Sequence, residues 1–251
     1  MRHSIRFRPS KFITLAFAAW CLSYGVLVGQ SADFSEAGKL KKVFKPSFQN
    51  GAGKLKPVDG AIQYTVENPS DKDFDYLFFQ PARLRASQNF EIVGTFKNDG
   101  VPESSKELVS IGIEVYQAEN LTNRVSASLS VARVQGYFSR TVFTQIVENS
   151  ETLDDTYTAD LRLPITTTFK LVYDSKAKTF STYYDKNEDE PVEWEFVGSF
   201  GIAGSGGDHG NANWRMRSSE KFLVYVYGYS ENLTLYDGEV QVLELSVETK
   251  K

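Results

Sequence analysis

The sequence predicts an all-β protein built as a two-sheet antiparallel sandwich. Large and polar residues alternate over many short segments, which is the pattern of strands that are half-buried. Turn residues separate these segments, and no segment has a convincing helical period. Aromatic residues make up 14% of the chain, and Val, Thr and Tyr are frequent, as strands favour. About twelve short strands without helices predict two packed sheets.

The clearest part of this pattern is the stretch 167–200, which predicts three consecutive antiparallel strands. In the first, Phe169–Tyr173, alternate large residues share one face, and a polar connection of hairpin length follows. The second strand covers Phe180–Tyr184 and leads into the charged loop Asp185–Pro191. Trp194 begins the third strand.

The remaining chain predicts further strands and no second domain. The segment 33–59 is mixed in character; we expect one edge strand there, near Val43–Phe48, and a break at Gly51, Gly53 and Pro57. Other predicted strands are Ala61–Val66, Phe90–Lys97, Val109–Val115, Val125–Val131, Arg140–Val147, Tyr157–Leu163, Phe222–Tyr229 and Val240–Val247. We therefore expect one sandwich domain over residues 33–251.

The N-terminus has the pattern of a secretory signal peptide. Four basic residues precede position 12, the run 12–29 carries no charge, and the small residues Ser31 and Ala32 follow. A retained membrane anchor is the alternative, because the apolar run approaches the length of a membrane span. Residues 1–32 are predicted to be removed, which makes the protein secreted or periplasmic. Cys21, the only cysteine, would leave with them, so the mature chain would have no disulfide and no thiol nucleophile.

The charge balance disfavours two classes of partner. The formal net charge is −4, and without residues 1–32 it becomes −8, from 24 Lys and Arg against 32 Asp and Glu. Nucleic acids and anionic membranes are bound through basic surfaces. We therefore expect no nucleic-acid partner and no stable membrane insertion after signal cleavage.

The order of strands resembles a known superfamily. The run FKLVYDSKAKTFSTYYDKN…VEWEFVGSF, a loop reaching Trp214, and FLVYVYGYSENLTLYDGEVQVLELSV are together similar to concanavalin A-like lectin/glucanase and laminin G-like domains. The resemblance covers about residues 58–248 and implies a jelly roll of secreted bacterial type, with carbohydrate as the ligand. The Asp-Asn-Phe of many relatives is absent from the final strand, Val240–Leu245, which leaves the subfamily open.

The catalytic motif of the related glucanases is absent. These enzymes carry E-x-D-x-x-E on one strand, and its first and last carboxylates act in catalysis. The nearest match, Glu188–Glu193, has Glu190 where the motif needs Asp and contains Pro191 within a predicted turn. We interpret it as an acidic hairpin loop.

One predicted strand carries the stronger binding candidates. Phe222, Val224 and Val226 take one face of it, and Tyr225, Tyr227 and Tyr229 take the other. Three tyrosines on an outward face would stack on sugar rings, since each has an apolar body and a hydroxyl group. The alternative is that they pack against neighbouring strands.

Two loops supply weaker candidates. In the glycine-rich loop 201–213, Asp208, Asn211 and Asn213 could contact a ligand, and Trp214 after it offers a flat face; the alternative is a plain surface loop. In the charged loop, Asp185, Asn187 and Asp189 alternate as oxygen ligands of calcium often do. Glu190 stands where such a loop needs glycine, so a polar turn is the alternative. No other cofactor is expected.

The sequence thus predicts a secreted, non-catalytic, lectin-like module that binds a carbohydrate or an extracellular polysaccharide. Two other classes remain open: a glycoside hydrolase or polysaccharide lyase with an unrecognised site, and a structural or adhesive cell-surface module. Two outward carboxylates about 5–5.5 Å apart would favour a retaining hydrolase. A tyrosine face without such a pair would favour binding.

Overall fold

The structure is a computed structural model, and it describes residues 28–102, 104, 106–134, 137–186, 192–233 and 238–250. Most of the predicted signal peptide lies outside this part, as do residues 187–191 of the charged loop. Among the described residues, no helix has the length and apolar character that a membrane crossing requires.

The described residues form sixteen strands and one short helix. In chain order they are β1 (Val28–Ser31), α1 (Ala37–Val43), β2 (Phe44–Asn50), β3 (Gly53–Val58), β4 (Ala61–Val66), β5 (Lys72–Phe79), β6 (Leu84–Arg85), β7 (Asn89–Asn98), β8 (Leu108–Gln117), β9 (Asn120–Val134), β10 (Tyr137–Glu148), β11 (Glu151–Tyr157), β12 (Thr166–Asp174), β13 (Thr179–Asp185), β14 (Trp194–Gly201), β15 (Lys221–Glu231) and β16 (Val240–Lys250).

These strands make two antiparallel sheets that pack face to face, so the predicted sandwich is confirmed. The first sheet has the order β14-β13-β12-β7-β16-β4-β3, and β1 pairs with β16 beside it. The second has the order β11-β10-β9-β8-β15-β5-β2, and β6 pairs with β15. The predicted three-strand meander is present as β12, β13 and β14 at one side of the first sheet.

The core lies between the inner faces of the two sheets and is rich in aromatic rings. Phe96 and Phe169 stack with centroids 4.3 Å apart within the first sheet. Phe222 of the second sheet packs against Phe180 at 5.4 Å, which joins the two sheets. Gly228 is required where Tyr64 crosses β15, because a Cβ atom there would lie 2.2 Å from the Tyr64 ring. The large residues that alternate along the predicted strands therefore face this core.

The N-terminal segment differs from the prediction of a single strand. It contains the helix α1 and two strands, β2 and β3, in place of one. Only Leu40 of the seven residues of α1 is buried, so the sequence shows no helical period of apolar residues there. No side chain caps the helix N-terminus, so that signal is missing as well. Pro57 does not break β3, because β3 ends its sheet and a proline is tolerated on an outermost strand.

One other strand boundary also differs. The strand predicted at 157–163 is found earlier, as β11, which ends at Tyr157. Val28–Ser31, which we placed in the signal peptide, forms β1 and pairs with Ser246–Thr249 of β16.

A buried carboxylate fastens the β2–β3 turn to the start of β5. Asp73 is buried and accepts the Ala52 N–H at 2.8 Å, the Ser70 N–H at 2.8 Å and the Ser70 hydroxyl at 2.6 Å. Burial alone would raise the pKa of this carboxyl, but the Ser70 hydroxyl and the two backbone N–H groups outweigh it and lower the pKa. The ionised form is therefore the one that the fold stabilises.

We expect Asp73→Asn to lower the free energy of unfolding by about 1.5–3 kcal/mol at neutral pH, because charged hydrogen bonds are lost in a buried place. A carboxyl with a lowered pKa stabilises the fold above its unfolded pKa and stops doing so as pH falls through its folded pKa. The difference in unfolding free energy between the wild type and the variant should thus shrink as pH falls below 3.8, the ordinary pKa of an aspartate. Urea unfolding at several pH values measures it. Exposed Asp71→Asn is the matched control, and an equal loss there would contradict this role.

Candidate groove on the second sheet

The outer face of the second sheet carries a row of paired residues that crosses six strands. From β5 to β11 the row contains Tyr76, Tyr227, Gly112, Ser128, Phe143 and Tyr157. Five strand spacings correspond to about 24 Å. The row has aromatic residues at both ends and the two smallest residues in its middle, which makes the centre of the face low.

A single groove of about 1140 Å³ lies over this face. One wall contains Phe74 and Tyr76 of β5 with Tyr227 and Tyr229 of β15. The opposite wall is formed by β10, β11 and the segment after β11, through residues that include Phe143, Tyr157 and Leu161. The volume exceeds the range of about 300–1000 Å³ that is typical of pockets for small ligands. The groove is therefore of a size that suits an extended molecule.

The floor between the walls is lined with hydroxyl groups. The Ser110 and Ser130 hydroxyls lie 2.8 Å apart, and those of Ser128 and Ser130 lie 3.0 Å apart. All three serines are buried, although they line the groove. Each hydroxyl can donate or accept, so the small exposed part of this floor, 1–8% of each serine, offers hydrogen bonds of either sense to a polar ligand.

One end of the floor holds an ion pair whose carboxylate is buried and whose guanidinium is partly exposed. Arg124 Nε lies 3.3 Å from Glu114 Oε1, and the Tyr116 hydroxyl donates to Glu114 Oε2 at 2.5 Å. Burial raises the pKa of Glu114, and Arg124 and Tyr116 oppose that shift by stabilising the carboxylate. Burial likewise raises the pKa of the Tyr76, Tyr116, Tyr227 and Tyr229 hydroxyls. These tyrosines are therefore neutral hydrogen-bonding groups at physiological pH.

The three tyrosines of β15 lie on the predicted face, opposite the core residues Phe222, Val224 and Val226. They do not form an open platform, because Tyr225 is 5% and Tyr227 6% exposed. Tyr76 stacks on Tyr227 with centroids 5.6 Å apart, while Tyr225 packs against Phe48, Tyr76, Phe78 and Tyr116. Tyr227 and Tyr229 line the groove and Tyr225 does not. Cross-strand packing thus accounts for much of this face.

The glycine-rich loop lies away from the groove. Asp208, Asn211 and Asn213 are exposed, as expected, but none of them lines the groove. The loop packs beside β11, since a Cβ atom on Gly210 would meet the Cβ of Asp154 at 2.5 Å. Asn211 stabilises the loop itself, because its Oδ1 accepts the Gly207 N–H at 3.0 Å. The structure therefore does not bring this loop and the β15 tyrosines into one site.

Trp214 corrects the prediction of a flat face at the end of that loop. It is 3% exposed and packs in the core, with its ring 6.3 Å from that of Phe180. The backbone N–H of Trp214 donates to the Ile202 carbonyl at 3.0 Å, and the Trp214 carbonyl accepts from Gln117 Nε2 at 3.2 Å. Its ring is therefore not available to a ligand at the loop surface.

The calcium hypothesis falls largely on residues outside the described part. Asn187 and Asp189 lie there, and Asp185 Oδ1 accepts the Glu193 N–H at 3.0 Å. Among the residues that the structure describes, no three His, Cys, Asp or Glu side chains come together as a metal site would need. Calcium binding at this loop stays a prediction.

Sequence reasoning missed most of the groove, because its residues come from distant parts of the chain. Tyr76, Glu114, Arg124 and Tyr157 were not singled out, and each lines it. One signal was present: Phe74, Tyr76 and Phe78 alternate with the buried Asp75 and Leu77, which marks a second aromatic face. The pairing of that face with β15 could not be read from local pattern.

Comparison with solved structures gives the same architecture. Peanut lectin is similar over 90% of this chain and 98% of its own, with 10% identity and a TM-score of 0.53. The winged bean acidic lectin complexed with methyl-α-D-galactose is similar over 90% and 99%, with 11% identity and a TM-score of 0.55. The potassium-bound carbohydrate recognition domain of Emp46p is similar over 86% and 95%, with 11% identity and a TM-score of 0.52.

No model of a protein family matches the sequence, and no curated protein matches it. Identities of about one residue in ten establish the fold and leave the ligand open. The antiparallel sandwich and these similarities together show that the chain has the concanavalin A-like jelly-roll fold of the lectins.

Proposed function

We propose that this protein is a secreted, non-catalytic module that binds an extended carbohydrate in the groove of its second sheet. The observation that carries the proposal is a groove with aromatic walls and a hydroxyl floor. Pyranose rings have apolar faces, which stack on aromatic side chains, and polar edges, which hydrogen-bond. The groove presents both kinds of surface at once, over about 24 Å.

The compared proteins support a carbohydrate ligand. The winged bean acidic lectin is named in complex with a methyl galactoside, and the Emp46p domain is named a carbohydrate recognition domain. A shared fold does not transfer a ligand, so the groove itself carries the proposal. The signal-like N-terminus supports secretion, which would bring the groove to extracellular polysaccharides.

The arrangement of acids supports binding without chemistry. Glu114 is the one carboxylate among the described residues that line the groove, and it is paired with Arg124. Glycoside hydrolysis by either common mechanism uses two carboxyl groups that flank the scissile bond. With one paired acid among its described residues, the groove has the parts of a binding site, and that part of it holds no carboxylate pair.

Tyr157→Ala tests the proposal with little effect on the fold. Tyr157 is 57% exposed and lines the groove, so we expect its loss to weaken glycan binding about two- to tenfold, as about 0.5–1.5 kcal/mol of ring contact implies. Tyr137→Ala is the matched control, because Tyr137 is 72% exposed, belongs to the neighbouring strand and does not line the groove. A polysaccharide panel measured by affinity electrophoresis, followed by calorimetry on the bound members, gives the affinities.

The same samples are assayed for released reducing sugar and for unsaturated product, with calcium and with chelator. Binding without product, weakened by Tyr157→Ala and not by Tyr137→Ala, is the expected result. Product formation would overturn the non-catalytic part of the proposal. Equal effects of the two substitutions would move the site away from the groove. Failure to bind any member of the panel would favour the structural module.

A further inference from the structure

We propose that the groove selects uncharged glycans and rejects those that carry carboxylate or sulfate groups. This inference rests on the proposed function and narrows it to a class of ligand. It follows from the charges that line the groove and from the partners that those charges have.

Three of the described residues that line the groove are charged: Lys72, Glu114 and Arg124. Arg124 is paired with Glu114 at 3.3 Å on the floor. Lys72, at the rim, has its Nζ 3.6 Å from Glu231 Oε1. Within the described part of the groove, each cation therefore already has a carboxylate beside it.

An anionic glycan would need a cation that is free to receive it. Carboxylates and sulfates lose hydration on entering a groove, and the loss is offset only by a paired charge or by several hydrogen bonds. An anionic group that drew Arg124 away from Glu114 would leave a buried carboxylate without its cation, which is strongly unfavourable. The floor hydroxyls, by contrast, match the neutral hydroxyl groups of a sugar.

The net charge of the whole chain also disfavours anionic glycans. The formal net charge is −4, and residues 1–32 contribute four cations and no anion to it. An acidic protein repels a polyanion at long range, and salt screens this repulsion. Binding of a neutral polymer, in contrast, should change little with salt.

The test compares one backbone in two charge states. The neutral polysaccharide that binds best in the panel is carboxymethylated, and both forms are titrated with the purified protein. We expect the neutral form to bind at least about tenfold more tightly. We also expect its affinity to change little between about 0.05 and about 0.5 M salt.

Glu114→Gln tests whether charge causes the preference for the neutral polymer. If the preference were only steric, this substitution would not change it. The substitution removes the carboxylate beside Arg124 and keeps a side chain of similar shape, so Arg124 becomes available to an anion. The ratio of the two affinities should shift by about tenfold in favour of the carboxymethylated form. Glu119→Gln is the matched control: it makes the same change of charge at an exposed position that does not line the groove, and it should leave the ratio unchanged.

Each outcome decides between the two proposals. A preference for the neutral polymer that Glu114→Gln reverses in part supports the selectivity. Equal or tighter binding of the carboxymethylated polymer by the wild type overturns the selectivity and leaves carbohydrate binding in place. An unchanged ratio in Glu114→Gln overturns the role of the ion pair. Absence of binding by every polymer overturns the proposed function, and the selectivity with it.

Discussion

Arg124→Met is expected to lower the free energy of unfolding by about 3 kcal/mol, far more than loss of a surface ion pair would. Exposed pairs contribute about 0–1 kcal/mol, whereas removing one partner of a buried pair leaves the other charge uncompensated. Glu114 is buried; its Oε1 lies 3.3 Å from Arg124 Nε, and its Oε2 accepts the Tyr116 hydroxyl. Met retains the apolar stem of Arg124, so the loss reports on the charge. Guanidinium unfolding at neutral pH measures it.

The double variant Glu114→Gln with Arg124→Met is the control for this interpretation. It leaves no charge at the site and keeps an acceptor for the Tyr116 hydroxyl, so it should be more stable than Arg124→Met alone. Acid should also rescue the single variant. Without Arg124, burial raises the pKa of Glu114 further above the ordinary 4.5, so stability is greatest below that value and is lost as pH rises. A single variant as stable as wild type at pH 7 would show that the pair behaves as a surface pair.

Trp214→Ala is expected to lower the free energy of unfolding by about 3–5 kcal/mol, as truncation of large buried aromatic residues does. The prediction separates a core role for this residue from the ligand contact that the loop sequence indicates. Its ring packs beside Phe180, which itself contacts Phe222 of the opposite sheet. The cavity left by Ala would therefore open next to the contact between the sheets.

Thermal and urea unfolding check this value, with Asn213→Ala as the neighbouring control. Asn213 is exposed, and its described hydrogen bond is made by its backbone N–H to Glu148, which alanine retains. That variant should stay within about 0.5 kcal/mol of wild type. If Trp214→Ala also stayed within that range, the ring would not belong to the core.

Local alternation was sufficient to predict those strands whose two faces differ strongly. In β15, Phe222, Val224 and Val226 face the core and the tyrosines face outward, as the sequence predicts. The meander β12–β14 follows the same rule, with Phe169, Leu171 and Tyr173 buried. Such strands have a fixed register, because a slip of one residue would reverse the two faces.

Short or isolated features could not be predicted in this way. The helix α1 buries a single residue, Leu40, so it leaves no period to detect. Trp214 follows a glycine-rich loop, and only the path of that loop decides whether its ring turns inward. Tyr225 and Tyr227 were correctly placed on the outer face, but Phe48 and Tyr76 cover that face. They come from segments 177 and 151 residues earlier in the chain than the tyrosines that they contact.

The groove, too, could not be predicted from local sequence pattern, because its residues come from distant parts of the chain. Its row of paired residues runs from Tyr76 to Tyr157 and includes Tyr227 from much later in the chain. Long-range strand order sets that arrangement, and neither composition nor spacing encodes it visibly. Sequence reasoning identified one strand of the groove, and the fold supplied the others.

If the N-terminus is a signal peptide, as proposed, the pairing of β1 with β16 makes the position of its cleavage important for self-association. Cleavage after Ala32 would remove the partner of Ser246–Thr249 and leave the amide and carbonyl groups along that side of β16 without their present hydrogen bonds. Such a segment is a template for an added strand from another chain. Cleavage before Val28 would keep β1 in place and block that addition. Two mature forms that differ by as few as five residues at the N-terminus would then differ in their tendency to form dimers and fibres.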